Sequence, residues 1–168
     1  GVVGSGNNLI IRNVYSEMEI TTASDSTVYT GGIVGDLRYS STLQNVYFNG
    51  TLITGNYSTG IISGYIYGQT KVVNVIGVGN YLIYEISTSS IVNSYIVGST
   101  DNDGVSYSYQ SPIDIKKIND ISVFDFEATL HFNTVIWSFE GDYLILKNLD
   151  NTPVYTKEII ETTTGLTD

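Results

Sequence analysis

Ile11-Arg-Asn-Val-Tyr15 returns along the chain as Leu43-Gln-Asn-Val-Tyr47, as Val72-Val-Asn-Val-Ile76 and as Ile91-Val-Asn-Ser-Tyr95. Ahead of the first three copies stands a short glycine-bounded apolar unit: Gly1-Val-Val-Gly4, Gly32-Ile-Val-Gly35 and Gly60-Ile-Ile-Ser-Gly64. Two strand-forming blocks in a fixed order, recurring at intervals of tens of residues, mark a stacked repeat architecture. The asparagines Asn13, Asn45, Asn74 and Asn93 are separated by 32, 29 and 19 residues. The first two intervals suit one full coil of two or three short strands. The third is too short for that, so the fourth coil is either trimmed or registered differently.

After the first two asparagines the chain alternates. Val14, Ser16, Met18 and Ile20 fall on one face, and Tyr15, Glu17 and Glu19 on the other. The next coil repeats this with Val46, Phe48, Gly50 and Leu52 against Tyr47, Asn49 and Thr51. Alternation with period two belongs to half-buried strands, and no stretch of residues 1–100 carries a capped helical period. The glycines fall at strand ends, where positive φ or close approach of successive coils is required. The connections are rich in Ser, Thr, Asp and Asn, as surface turns are. The expected class is all-β.

Composition agrees. Only 14% of residues are charged, and 42% are hydrophobic. A coil stack shows equivalent side chains in rows at a spacing of roughly 4.8 Å, where like charges would repel and neutral hydroxyls, amides and phenols do not. The net charge of -10, from 17 acids against 7 scattered bases, argues against nucleic-acid binding and against an anionic membrane surface. No apolar run approaches the length of a membrane span. The absence of cysteine removes disulfides and thiolate metal sites, and fits an exported protein. The chain opens at Gly1, which reads as an excised fragment or a processed subunit.

Residues 101–112 interrupt the pattern and read as a boundary loop. Beyond them, Ile113–Ile118 suggests a short helical turn, and four of the five phenylalanines join Trp137 between residues 124 and 139. A stack needs its apolar end covered, so residues 113–149 are expected to form a carboxyl-terminal cap. Residues 150–168 read as a strand-like tail or linker.

The unit Gly32-Ile-Val-Gly35 followed by Leu43-Gln-Asn-Val-Tyr-Phe-Asn-Gly50 resembles the GLUG-motif repeat of large bacterial surface proteins. That family includes adhesins and the non-catalytic parts of immunoglobulin-A-cleaving metallopeptidases. Val123-Phe-Asp-Phe126, Trp137 and Gly141-Asp-Tyr-Leu-Ile-Leu-Lys147 are similar to the closing unit of such arrays, so the resemblance runs over residues 1–149. Two features depart from it: Gly60–Gly64 carries an extra residue, and the fourth asparagine block lacks a clear glycine unit. The resemblance implies a right-handed parallel β-solenoid on an extracellular or cell-surface protein. It implies no reaction.

Each candidate site has a plain structural counterpart. Asn13, Asn45, Asn74 and Asn93 are expected to form a ladder of side-chain amides that holds the turn. Tyr15, Tyr47 and Tyr95, with Ile76 in the same row, form either an outward contact surface for carbohydrate or protein, or a stack that stabilises the coils. Asp101 and Asp103 could hold calcium weakly, but Gln110 stands where a bidentate acid is needed, and an Asx turn explains them as well. Glu17 and Glu19, like Asp125 and Glu127, share a strand face, yet the positions stacked on the first pair are Asn49 and Thr51. Glycoside hydrolysis needs two facing carboxylates. His131 has no nucleophile motif or metal-binding companions beside it.

No catalytic residue, metal or cofactor is therefore expected. The function read from the sequence is a non-enzymatic stalk, adhesion or assembly module contacting carbohydrate or a host or neighbour-cell protein. One alternative is a self-assembling filament, in which the tail strand Val154–Thr162 adds to an open amino-terminal edge. Another is a carbohydrate-active enzyme.

Overall fold

A computed structural model describes residues 1–22, 28–54, 58–98, 104–118, 137–140 and 143–146; for Thr54 and for the last two stretches it describes the backbone alone. Every regular element in them is a strand. Asp101, Asp103, Asp125, Glu127, His131, the phenylalanines at 124, 126 and 132, and the whole of 150–168 lie outside the described residues.

Two five-stranded sheets carry the fold. The first is ordered β1 (Val3–Asn7), β5 (Val34–Arg38), β9 (Ser63–Tyr67), β11 (Ile83–Ser87) and β13 (Val105–Tyr109). The second is β2 (Ile10–Ser16), β6 (Thr42–Phe48), β10 (Lys71–Val78), β12 (Ser90–Val97) and β14 (Ile113–Ile118). All pairings in both are parallel. The chain therefore visits the sheets alternately, and each repeat adds one strand to each. Shorter parallel pairs join β3 (Glu19–Thr22) to β7 (Thr51–Thr54) and β4 (Thr30–Gly31) to β8 (Thr59–Gly60). An antiparallel hairpin, β15 (Trp137–Glu140) and β16 (Tyr143–Leu146), approaches β2. Among the described residues no helix is long and apolar enough to cross a membrane.

Inward residues of the two sheets meet in one apolar core. Leu37, Ile66 and Ile86 from the first sheet and Leu43, Val72, Val46 and Val75 from the second are fully buried. Ile11 in the first repeat and Ile91 in the fourth extend the same rows. β-Branched and leucine side chains at alternate positions pack well on pleated, half-buried strands, and here they do so repeat upon repeat.

Three expectations are corrected. Ile113–Ile118 is a strand paired in parallel with β12; Ile113 and Ile115 pack against the core, while Lys116 and Lys117 stand opposite the buried Tyr95 and Ile96. The boundary loop at 101–112 contains β13, which pairs with β11 as a further strand of the first sheet. The alternation read continuously from Val14 to Ile20 is also broken. β2 ends at Ser16, β3 begins at Glu19, and Met18 between them is exposed.

The short third interval has a physical cause. In the second and third repeats the chain runs through β4 or β8 before entering the first sheet, and that segment lies across the sheet. A Cβ on Gly35 would stand 2.8 Å from the carbonyl oxygen of Tyr29, and one on Gly64 would stand 2.6 Å from the Thr30 nitrogen. In the fourth repeat only residues 79–82 connect β10 to β11. With no such lead-in segment, Tyr84 occupies the position equivalent to Gly64. The β8 segment of the preceding repeat lies close against it, since a Cβ on Gly60 would stand 2.6 Å from the Tyr84 nitrogen.

Candidate functional site on the outer face of the first sheet

Two rows of polar side chains first hold the strands in register. Asn45 Nδ2 donates to Asn13 Oδ1 at 3.2 Å, Asn74 Nδ2 to Asn45 Oδ1 at 3.1 Å, and Asn93 Nδ2 to Asn74 Oδ1 at 2.9 Å. All four asparagines have φ between 47 and 54°. Asparagine tolerates this left-handed conformation better than most side chains, and it bends the strand at the same point in each repeat. In the fifth repeat the row ends in a carboxylate: Asp114 Oδ2 accepts from the Asn93 backbone nitrogen at 2.9 Å.

A second row escaped the sequence reading. Leu9 N donates to Ser41 Oγ at 2.9 Å, Thr70 N to Ser89 Oγ at 3.2 Å and Ser89 N to Ser111 Oγ at 3.2 Å. Ser41, Thr70 and Ser89 are buried, and each follows a residue with positive φ: Ser40, Gln69 and Thr88. The signal was present as a hydroxyl two residues before the apolar residue of each block (Ser41-x-Leu43, Thr70-x-Val72, Ser89-x-Ile91, Ser111-x-Ile113). Buried hydroxyls that both donate and accept keep a corner satisfied without water.

Tyr15, Tyr47, Ile76 and Tyr95 do form one row in register. It is not an exposed surface: Tyr47 is 1% and Tyr95 3% accessible, and Tyr15 is half-buried. Tyr15 and Tyr47 rings lie 5.4 Å apart, and the Lys116 ammonium stands 5.5 Å from the Tyr95 centroid at the row's end. Burial raises the Tyr15 phenol's pKa, and its hydrogen bond to Glu17 at 2.8 Å raises it further. This row is a stack that stabilises the second sheet.

The open aromatic surface belongs to the first sheet. Residues alternating with Leu37, Ile66 and Ile86 point outward and form two parallel rows, Ser5–Asp36–Tyr65–Glu85–Tyr107 and Asn7–Arg38–Tyr67–Ser87–Tyr109. Tyr29 stacks on Tyr65 with centroids 4.7 Å apart and donates to Glu85 Oε2 at 3.2 Å. Tyr65 lies parallel to Tyr67 at 6.1 Å, Tyr39 meets Tyr67 edge-on at 5.6 Å, and Tyr84 meets Tyr107 edge-on at 5.4 Å. Asp36 and Arg38 form an ion pair at 2.7 Å, and the guanidinium sits 5.2 Å from the Tyr65 centroid.

The electrostatics follow from that crowding. Burial pushes the Tyr29 and Tyr65 phenols up, and the Glu85 carboxylate pushes both further. Burial also raises the Tyr84 phenol, with Tyr107 adding to it. The hydrogen bonds from Arg38 to Asp36 hold the guanidinium protonated more firmly still.

Chemically, the patch offers phenol hydroxyls, ring edges and carboxylate acceptors around three accessible rings: Tyr39 at 48%, Tyr107 at 60% and Tyr109 at 63% exposure. Asp36 and Glu85 are a carboxylate pair brought into one row by the stack, two rungs apart, which the sequence reading did not find. Both act as struts: one clamps Arg38 and the other accepts from Tyr29. Among the described residues no group of three or more His, Asp or Glu side chains is placed to hold a metal ion.

No family model matches this chain, and neither the curated proteins nor the solved structures yield a match to it.

Proposed function

We propose that the chain is a rigid, non-enzymatic module of a cell-surface protein, built as a right-handed parallel β-solenoid, that contacts neutral carbohydrate through the tyrosine face of its first sheet. The two parallel sheets visited in turn and the asparagine ladder support the solenoid, and the resemblance to GLUG-motif repeats supports its handedness and surface location. The observation that carries the contact is the exposure of Tyr39, Tyr107 and Tyr109 on a face that also holds the stacked phenols Tyr29, Tyr65 and Tyr67 among polar and charged side chains. Aromatic rings with hydroxyls at their tips suit a ligand that has one apolar face and a hydroxylated rim, as a pyranose does. The acids on that face and the net charge of -10 favour a neutral glycan over an anionic one.

Affinity electrophoresis through gels containing neutral polysaccharides tests this directly. The chain should be retarded by at least one of them, and Tyr107→Ala with Tyr109→Ala together should remove the retardation while the β spectrum stays. Equal mobility of the double variant and the native chain in every gel would sink the assignment of this face.

A further inference from the structure

The two ends of the stack are complementary in charge, and the complementary groups lie in the same rows. At one end β1 and β2 are outermost in their sheets, and at the other β13 and β14 are. Parallel strands at such positions leave a file of backbone donors and acceptors open to a further strand. Val2 and Ile10 are 50% and 66% exposed at the first end. The hairpin of β15 and β16 approaches β2 but forms its own sheet, and among the described residues no strand is hydrogen-bonded to that edge.

The row just before the asparagine ladder reads Arg12, Gln44, Val73 and Val92; because β14 shifts register between the partners of Ile91 and Ser94, Asp114 alone lies opposite both Val92 and Asn93 and ends this row and the ladder together. It begins in a cation and ends in an anion. Among the described residues Arg12 Nε is a buried atom with no hydrogen-bond partner, which is costly for a charged group. The ladder itself has a direction. Each asparagine donates to the one in the preceding repeat, so Asn13 Nδ2 is the donor left at the first end, and the Asp114 carboxylate is the acceptor at the last. The next row begins with Tyr15, bonded to Glu17, and ends with Lys116. Here the anion, Glu17 just past the end of β2, lies at the first end and the cation at the last.

We propose that a second copy of this chain stacks head to tail on the first, β14 of one copy pairing in parallel with β2 of the next and β13 with β1. One rung of roughly 4.8 Å then places Asp114 beside Arg12 and Asn13, and Lys116 beside Tyr15 and Glu17. The contact is heterologous and does not close, so it propagates into a filament. The junction is made by the repeats themselves and needs no residue from 150–168.

Sedimentation velocity of the 168-residue chain over a hundredfold concentration range reads this out. The native chain should show a mass that grows with concentration. Arg12→Glu alone and Asp114→Arg alone should each stay at one copy, because every junction then joins like charges. An equimolar mixture of the two should grow again. There the unaltered Asp114 of one variant meets the unaltered Arg12 of the other, and at the next junction the two introduced side chains, again of opposite charge, face each other. Should either variant lose its β spectrum, Glu17→Lys and Lys116→Glu serve in the same crossing. A native chain of one copy at all concentrations overturns the proposal, as do single variants that grow like the native chain. Growth that disappears only on removing 150–168 assigns the junction to tail exchange and overturns it equally.

Discussion

Asn74 sits midway in a hydrogen-bonded file, donating through Nδ2 to Asn45 Oδ1 at 3.1 Å and accepting through Oδ1 from Asn93 Nδ2 at 2.9 Å, with its backbone at φ 53°. Its amide and its left-handed backbone are separate contributions. Asn74→Ala removes two bonds worth about 0.5–1.5 kcal/mol each and places a Cβ-bearing residue without compensation in a conformation that costs roughly 1–2 kcal/mol. Denaturant unfolding should show a loss of about 2–5 kcal/mol for Asn74→Ala. Asn74→Gly should recover the backbone part of that loss. Equal losses for the two would mean the left-handed bend contributes nothing.

Gly64 and Gly4 are equivalent glycines with opposite surroundings. A Cβ at Gly64 would lie 2.6 Å from Thr30 N and 2.8 Å from Tyr29 Cβ, whereas at Gly4 nothing lies within 4 Å. Gly64→Ala should destabilise by about 1–3 kcal/mol through overpacking against backbone that cannot step aside. Gly4→Ala should move the thermal midpoint little. Comparable midpoints for the two variants would contradict the account of the crossing segments.

Tyr47 and Tyr109 separate structural from surface tyrosines. Tyr47 is fully buried in the stacked row, and Tyr109 is 63% exposed. Tyr47→Ala should cost about 3–5 kcal/mol, in the range for a buried aromatic, and Tyr109→Ala less than about 0.5 kcal/mol. Urea melts of the two variants measure this, and a cost for Tyr109→Ala near that of Tyr47→Ala would remove it from the contact surface.

The phenols of Tyr15, Tyr29, Tyr65 and Tyr84 are all raised, chiefly by burial. The folded state holds these protons more tightly than the unfolded chain, whose tyrosines titrate near about pH 10. Above that pH the unfolded state binds fewer protons, so the stability difference falls as pH rises. The tyrosinate absorbance should therefore show a fraction of the tyrosines ionising only together with loss of the β spectrum in the alkaline range. Ionisation of all 14 before any unfolding would refute the burial of these rings.

Much of the fold was legible because its signals are local and repeated. An asparagine at one place in each block sets a bend through its own backbone preference, and an apolar residue two positions before it sets the inward face. These choices recur at Asn13, Asn45, Asn74 and Asn93, so four weak signals reinforce one another. The strands at Val105–Tyr109 and Ile113–Ile118 were missed because the fifth repeat has no asparagine at the bend; Asp114 accepts from Asn93 there and the register shifts.

The sequence by itself determined the all-β character, the order of the strand blocks and the row to which Tyr15, Tyr47 and Tyr95 belong, since period two and equivalent spacing depend only on neighbours along the chain. Only the tertiary structure decided which rows face outward into open space. Tyr47 and Tyr107 both alternate with core residues, yet one is covered and the other is not. Arg12 and Asp114 stand far apart in the chain, and only the stacking of repeats sets them in one row at opposite ends. Alternation assigns a side chain to a face of its sheet; what lies over that face depends on segments distant in sequence, whose approach is set by packing.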